Sequence, residues 1–376
     1  MIAVIILSYH APADLRRCLE SVLRTEFPSE RFRIVVVDNA ATAETAAVLQ
    51  EYVGRIDVLP QRANTGYAGG MNIGIRHARD LGAKFVTVLN QDTEVDPNWL
   101  RHLVMAMESD PAIGAVQARI MYGEPVDERK RWQTDAGLVQ SVGNAIHPLG
   151  FGSFGFAVGA QRACWSDVRR TLRGYPCPEV TYPSGAAVMY RMTALSRVGF
   201  AQDDAGDVQF FDEAYFLYHE DTDLGVRLWL CGFRCVLAPQ SVVVHHYDFG
   251  RSTAKMFYME RNRIRFLLEN FRVLTLLVLA PALCASEVAL FVFAWRGGWG
   301  AEKVRAWRDL LRPATWRSVL RHRAAKQAAR RMPDRVVTRR FIARFANPEV
   351  RNALVERAID PIVACWWRAV RPLIVW

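Results

Sequence analysis

This chain has no cysteine framework. Its seven cysteines, at 18, 164, 177, 231, 235, 284 and 365, are odd in number and scattered over 376 residues. Cys231 and Cys235 find no matching pair elsewhere, which argues against a zinc ribbon or disulfide scaffold and for reduced, cytosolic chemistry. No basic segment precedes the first apolar run, residues 1–8, and no small-residue cleavage site follows it, so it does not read as a signal peptide. Two nucleotide signatures are missing as well. Without a G-x-G-x-x-G and its downstream acid, or a P-loop lysine, neither dinucleotide nor triphosphate binding is indicated. The stretch SYHAPADLRR also lacks the Gly-rich loop a nucleotidyltransferase would need after its first strand. With 51% hydrophobic and 23% charged residues, the composition is globular and excludes a disordered polymer, a collagen-like repeat or a coiled coil. A chain this long buries a core without staples.

What the sequence does have is unevenly placed charge. Between residues 296 and 345 there are fifteen Lys or Arg against three acids, Glu302, Asp309 and Asp334. The whole chain carries +10, so the remainder sums to about −2. Seven of the eleven tryptophans also lie after residue 290. Basic residues interleaved with Trp suit either nucleic acid or an anionic membrane surface. The neighbouring segment decides for the membrane. Residues 273–295 are almost wholly apolar, with Thr275, Ser286 and Glu287 the polar exceptions. Pro281 and Glu287 interrupt the run, and a mid-span acid disfavours a simple crossing. The pattern predicts an interfacial or re-entrant pair of helices beside cationic headgroup contacts. A helix hairpin packed on the body or on a second copy in a homodimer is the alternative, and a single span is another.

The first half alternates buried strands and amphipathic helices. Strands are predicted over 2–7, 34–37, 56–59 and 85–89, and helices from Pro12, over 43–53 and 71–80, and from Pro97. Such alternation implies right-handed crossovers and a mainly parallel sheet, with ligands bound beyond the strands' carboxyl ends. Ser8, Tyr9, Asp38, Asn39, Asn64 and the Asn90-Gln91-Asp92 run fall there. Residues 119–180 read as long loops with short strands. Short strands are expected at Val236 and 242–244, a helix follows Asp221, and the chain is helical from Met256.

Asp38, ending VVVD, could accept from a nucleobase or a ribose hydroxyl; as an alternative it closes an Asx-turn. The glycine-rich NTGYAGGMNIG, with Asn64, Gly69 and Gly70, permits close backbone approach before a helix. Asp92 could join a hard cation to substrate phosphates, or simply cap the next helix. The run FDEAYFLYHEDTDL, residues 211–224, crowds five acids and a His among aromatics. Unpaired buried charge is costly, so a carboxylate there has the makings of a general base; a solvated acidic cap is the alternative. His245, at a strand end, could supply a metal ligand, with a purely structural role as the alternative.

In order, LSYH, VVVDNA, NTGYAGGMNIGI, LNQDT, PSGAAVMYR, the FDEAYFLYHEDTDLGVRLWLCGFR run, VVHHYDFGRS and YMERN resemble an inverting family 2 glycosyltransferase of the GT-A fold, most similar to its rhamnosyltransferase-like branch. The resemblance covers about residues 2–265. It implies a nucleotide-sugar donor (dTDP-rhamnose or a UDP-sugar), Mg2+ or Mn2+, and single displacement at the anomeric carbon. It assigns Asp221 as catalytic base, and Asp92 and His245 to the metal. Ser8, Tyr9, Asp38, Asn64, Gly69 and Gly70 would meet the donor nucleotide, and Arg261 and Glu220 the diphosphate or the acceptor. Asn90 replaces the first acid of the family's D-x-D. The expected organisation is a catalytic domain, 1–270, and a helical, basic, Trp-rich region, 271–376. A glycan or lipid-linked acceptor at the cytoplasmic side of the cell membrane follows, with no nucleic acid. The competing reading is a degenerate transferase domain that binds lipid or nucleic acid without catalysis.

Overall fold

Continuous runs of Val, Ile and Leu form strands buried on both faces, and the helices between them cover those faces. In the computed structural model, residues 1–123, 137–154, 163–201, 208–246, 253–345, 353 and 355–376 are described. Part of the expected loop region, 124–136 and 155–162, and the end of VVHHYDFGRS, 247–252, lie outside them.

The chain begins β1 (Ile2–Ser8), α1 (Pro12–Leu23), β2 (Phe32–Asp38), α2 (Ala43–Gln50), β3 (Asp57–Pro60), α3 (Gly66–Asp80) and β4 (Phe85–Asn90). Then come β5 (Thr93–Val95), α4 (Trp99–Glu108), β6 (Ile113–Tyr122), β7 (Val139–Ser141), β8 (Asn144–Ile146), β9 (Gly152–Phe154), α5 (Trp165–Thr171) and β10 (Ala187–Arg191). α6 (Met192–Val198), β11 (Phe200–Ala201), β12 (Val208–Gln209), α7 (Glu220–Leu230) and β13 (Arg234–His245) complete the sheet region. The rest is helical: α8 (Lys255–Asn270), α9 (Val273–Arg296), α10 (Gly300–Leu310), α11 (Pro313–Ala329), α12 (Arg335–Thr338) and α13 (Asp360–Val370).

The main sheet runs β3-β2-β1-β4-β10-β6-β13-β5, with β7 on β6. β3, β2, β1 and β4 are parallel, whereas β10 lies antiparallel between β4 and β6, so the sheet is mixed. Alternate side chains divide the core. Val4, Ile6 and Val36 pack under α1, α2 and α4, while Ala3, Ile5 and Val35 face α3 and the elements around α7. The register sets Ser8 beside Asp38 and Leu7 beside Asn90, which brings the expected ligand-binding ends into one row.

Several elements differ from the sequence expectation, among them α5, a helix inside the stretch expected to hold loops and short strands. α3 starts at Gly66 and not at residue 71, because its glycines serve close packing: a Cβ on Gly70 would sit 2.3 Å from Leu7 Cδ1. Val236 and 242–244 belong to one strand, β13, with a register shift between Ala238 and Val242. The apolar segment is one continuous helix, α9, and not a pair. Pro281 removes a single backbone bond at an exposed position, and the helix resumes beyond it. Glu287 turns to Arg263 and Lys303 and accepts from Trp307 Nε1 at 2.8 Å.

The helical region is joined to the sheet region by buried charge. Lys326 of α11 places Nζ 2.7 Å from Asp212, 2.7 Å from Asp223 and 2.6 Å from Glu269. Within the helical region, Lys303 of α10, itself buried, pairs with Glu260 of α8. On its far side α9 is bare. Leu274, Leu277, Pro281, Cys284, Val288, Val292 and Trp295 are exposed and recur every three or four residues, which makes one apolar stripe along its length.

Candidate active site

The acidic run splits into two groups with different surroundings. Asp212 and Asp223 are fully buried against Lys326, with His322 Nδ1 3.0 Å from Asp212 and Arg227 Nε 2.7 Å from Asp223. Burial alone would raise both carboxyls, but the Lys326 ammonium together with His322 at Asp212 and Arg227 at Asp223 outweighs it, so both are held below the ordinary range. Asp212, Glu269 and His322 stand close enough to chelate a cation, but the Lys326 ammonium already fills that position. This cluster is structural.

Glu220 and Asp221 open α7 at the wall of a cleft of about 340 Å³. The loop before them is unusual. Phe216, Tyr218 and His219 adopt φ of 63°, 65° and 68°, a left-handed conformation that side chains resist. Asn262 of α8 clamps it, donating from Nδ2 to the carbonyls of Leu217 and Tyr218 at 2.8 Å. Arg261 donates to the Ala214 and Tyr215 carbonyls at 2.8 and 3.1 Å. Gly66 (φ 72°) lets the start of α3 approach the same loop, because a Cβ there would lie 2.4 Å from the Phe216 carbonyl oxygen.

The two adjacent carboxylates are not equivalent. Asp221 Oδ2 accepts from the Gly185 amide at 3.2 Å, and Oδ1 accepts from the Thr222 amide at 2.6 Å and its hydroxyl at 3.3 Å. Glu220 Oε2 is buried and has no hydrogen-bond partner among the described residues. Burial pushes both acids up, and for Glu220 the neighbouring Asp221 adds to it, whereas the donors at Asp221 counter the rise. Glu220 therefore keeps its proton more readily, and Asp221 is the better placed to carry negative charge. Burial lowers His219 to about 4, so its ring is neutral near pH 7.

Asn90 and His245 line the same cleft. His245 Nδ1 is 2.7 Å from Gln140 Oε1, which fixes the tautomer with Nε2 turned to Asp92 Oδ1 at 3.2 Å and the Asn90 amide nitrogen at 3.4 Å. Imidazole and carboxylate thus converge, oriented from behind, in a way that fits a divalent cation. His246 points the other way and bonds Glu94 at 2.7 Å.

The expected nucleotide residues lie at the neighbouring strand ends. Ser8 Oγ is buried and has no hydrogen-bond partner among the described residues, while Tyr9 is exposed and its backbone N–H and carbonyl bond the side-chain amide of Gln91. Asp38 Oδ1 accepts from the Ala41 amide at 3.0 Å, the Asx-turn alternative, and Asn64 Oδ1 accepts from the Gly66 amide and from Asn39. Gly70 is spent on packing against β1, and Gly69 stands over Thr65. Arg261 faces the loop carbonyls and a groove beside α10, not the cleft.

Sequence reasoning missed Gln140 and assigned no part to Gly185. Gln140 sits where the periodicity fades. Gly185 lies in PSGAA just before β10, and Tyr67 Oη donates to its carbonyl at 2.6 Å while its amide holds Asp221.

The sequence model of the family described as Glycosyl transferase family 2 matches residues 3–198. The chain is 28% identical over 266 residues to an N-acetylglucosaminyl-diphospho-decaprenol L-rhamnosyltransferase of Mycobacterium tuberculosis, covering 68% of this chain and 79% of that one. It is 26% identical over 254 residues to the O-antigen biosynthesis protein RfbC of Myxococcus xanthus, covering 66% of this chain and 18% of that protein. Among solved structures, GalNAc-T7 with UDP, GalNAc and Mn2+ aligns with a TM-score of 0.53 at 17% identity, over 72% of this chain and 48% of that one, a likeness of fold. A family match across slightly more than half of the chain, on a GT-A-like mixed sheet with a carboxylate cleft at its strand ends, shows that the protein belongs to glycosyl transferase family 2, with rhamnosyltransferase-like relatives, and is a nucleotide-sugar-dependent glycosyltransferase.

Proposed function

We propose that this enzyme inverts the anomeric centre as it moves a rhamnose-like hexose from a nucleoside diphosphate to a hydroxyl of a lipid-linked glycan. The observation that carries this is the shared cleft, lined both by Asp221, held by three donors, and by His245, whose Nε2 lies 3.2 Å from Asp92 Oδ1. Asp221 takes the proton of the acceptor hydroxyl as that oxygen attacks the anomeric carbon. The bond to the diphosphate oxygen breaks on the opposite face, so one displacement inverts the centre. Glu220, kept protonated by burial, avoids a second charge beside the base. Asp92 and His245 would hold the divalent cation, which offsets charge on the departing diphosphate. An imidazole in the donor set disfavours Mg2+ relative to Mn2+. Ser8, Asp38 and Asn64, at the ends of β1 and β2 and before α3, are the proposed nucleotide contacts, with Tyr9 at the rim.

The relative from M. tuberculosis is named for an acceptor on a polyprenyl carrier, and α9 gives a reason to place this enzyme at a membrane. An 18-residue window of α9 has a mean hydropathy of 2.3, and the helix exposes its apolar stripe. With Glu287 anchored to protein, the helix lies along the cytoplasmic surface, its stripe in the acyl boundary. Thermal shift across dTDP- and UDP-sugars, with Mn2+, Mg2+ or EDTA, tests the donor and metal assignments, because a ligand that binds only the folded state raises its melting temperature. A rise with one nucleotide sugar, largest with Mn2+, is expected; no rise with any donor sinks the reading.

A further inference from the structure

We infer that a second groove, next to the catalytic cleft, takes the diphosphate head of an isoprenoid-carried acceptor, with the isoprenoid chain running along α9; this rests on the lipid-linked acceptor proposed above. The groove has a volume of about 710 Å³ and lies between α8, the end of α9 and α10. Phe216, Tyr258, Trp295, Arg305, Arg308 and Arg312 form its walls.

Charge is the first argument. Arg261, Arg305, Arg308 and Arg312 line the groove against a single acid, Asp309. Asp309 is engaged with Arg312 at 3.4 Å and Arg261 at 4.0 Å. Arg305 lies 4.3 Å over the Phe257 ring and 3.4 Å from Glu302, and Arg308 makes no ion pair among the described residues. The side chains of Arg305 and Arg312 are 62% and 71% exposed, so these cations remain available to an incoming anion. A doubly charged diphosphate ester matches that excess, and guanidinium forks suit its oxygens.

Continuity is the second. Trp295 is a wall of the groove and also the last residue of the exposed stripe on α9. An anionic head in the groove therefore has an apolar track leading away from it, as an amphiphile requires and a soluble anion does not. Phe216 stacks on Tyr258 at 5.3 Å and directly precedes Leu217–Asp221, which line the cleft. A sugar attached to a diphosphate in the groove is thus delivered across the loop that carries the base.

The test uses the full chain in neutral detergent with farnesyl diphosphate as the probe, titrated by calorimetry. Farnesyl diphosphate is expected to bind, with farnesol and inorganic diphosphate each at least about tenfold weaker. Arg308→Ala/Arg312→Ala and Arg308→Glu should each weaken it about tenfold or more, with melting temperatures within a few degrees of wild type, while Asp92→Ala binds it normally. Loss in Asp92→Ala with retention in the arginine variants places the probe at the donor site and overturns the inference. Equal competition by phosphatidylglycerol micelles makes the groove a headgroup contact and overturns it too. Failure of every nucleotide sugar to raise the wild-type melting temperature, with farnesyl diphosphate still bound through the arginines, would sink the enzymatic reading and leave the groove standing.

Discussion

Lys326 Nζ lies 2.7 Å from Asp223 Oδ1, two residues beyond Asp221 on the same helix. The helix that carries the proposed base is thus braced by a side chain that arrives more than a hundred residues later. Burial would strip Lys326 of its proton, yet Asp212, Asp223 and Glu269 hold the ammonium above its ordinary value. Lys326→Met should leave buried carboxylates without their cation and cost about 3–5 kcal/mol, read as a large fall in melting temperature. A chain ended at Asn270 loses Lys303, His322 and Lys326 together and should not yield a folded monomer. A soluble 1–270 fragment that binds donor as the full chain does would refute this.

Asp221→Asn keeps the shape of the base but cannot take the acceptor's proton. Turnover should fall roughly 10²–10⁴-fold with donor binding nearly unchanged. In the wild type, kcat should decline as pH falls through an Asp221 pKa raised by burial, since only the ionised form accepts a proton. Asp223→Asn, by contrast, should lower melting temperature first, because Asp223 belongs to the buried ion cluster.

Glu220 gives a stability test. Its folded pKa is raised, so the folded state binds this proton more tightly than the unfolded chain does. The stabilisation is present at acid pH and lost as pH rises through the folded value. Glu220→Gln removes that loss. Its melting temperature should exceed wild type by more at pH 8 than at pH 5, and equal differences at both would show that Glu220 is not a titrating burden.

Asp92→Ala and His245→Ala should each abolish the Mn2+ dependence of the donor-induced thermal shift. Gln140→Leu, which releases the His245 ring, should weaken metal affinity by about 10–100-fold. His246→Ala should affect stability through its Glu94 partner and leave metal titrations unchanged.

The stripe on α9 predicts sedimentation with vesicles containing anionic lipid. Leu277→Asp and Val288→Asp put charge on exposed positions and should reduce binding, with no change in nucleotide-sugar thermal shift. Equal binding by these variants, or a dimer by light scattering that disappears in them, would assign the stripe to protein contact.

The strand-and-helix order of the first half was legible because buried parallel strands read as uninterrupted β-branched runs, as in IAVIIL and VVVD. The row of strand-end residues followed from it. The start of α3 was harder, since GYAGG reads as a turn until Leu7 and Ile5 are seen pressing against Gly70 and Gly74. The acidic run was legible as charge at risk, but not as two groups. Asp212 and Asp223 are told from Glu220 and Asp221 by Lys326, a partner that local pattern does not reveal. Gln140 and Gly185 act through one hydrogen bond each and leave no periodic trace. For Asp38, strand-end position alone left ligand and turn roles equal, and the turn bonds in the structure are compatible with both.

In sequence, α9 lies between α8 and α11, and both are held to the body by one buried ion cluster, in which Lys326 of α11 joins Glu269 of α8 to Asp212 and Asp223. A segment held at both flanks is not an appendage that protease or gene fusion could lift off. Excising it would pull Glu287 away from Arg263 and Lys303 and unseat the helix whose Asn262 clamps the loop before Glu220 and Asp221. Water solubility is therefore open to an engineer, or to evolution, by recolouring the stripe one residue at a time, and not by losing a module.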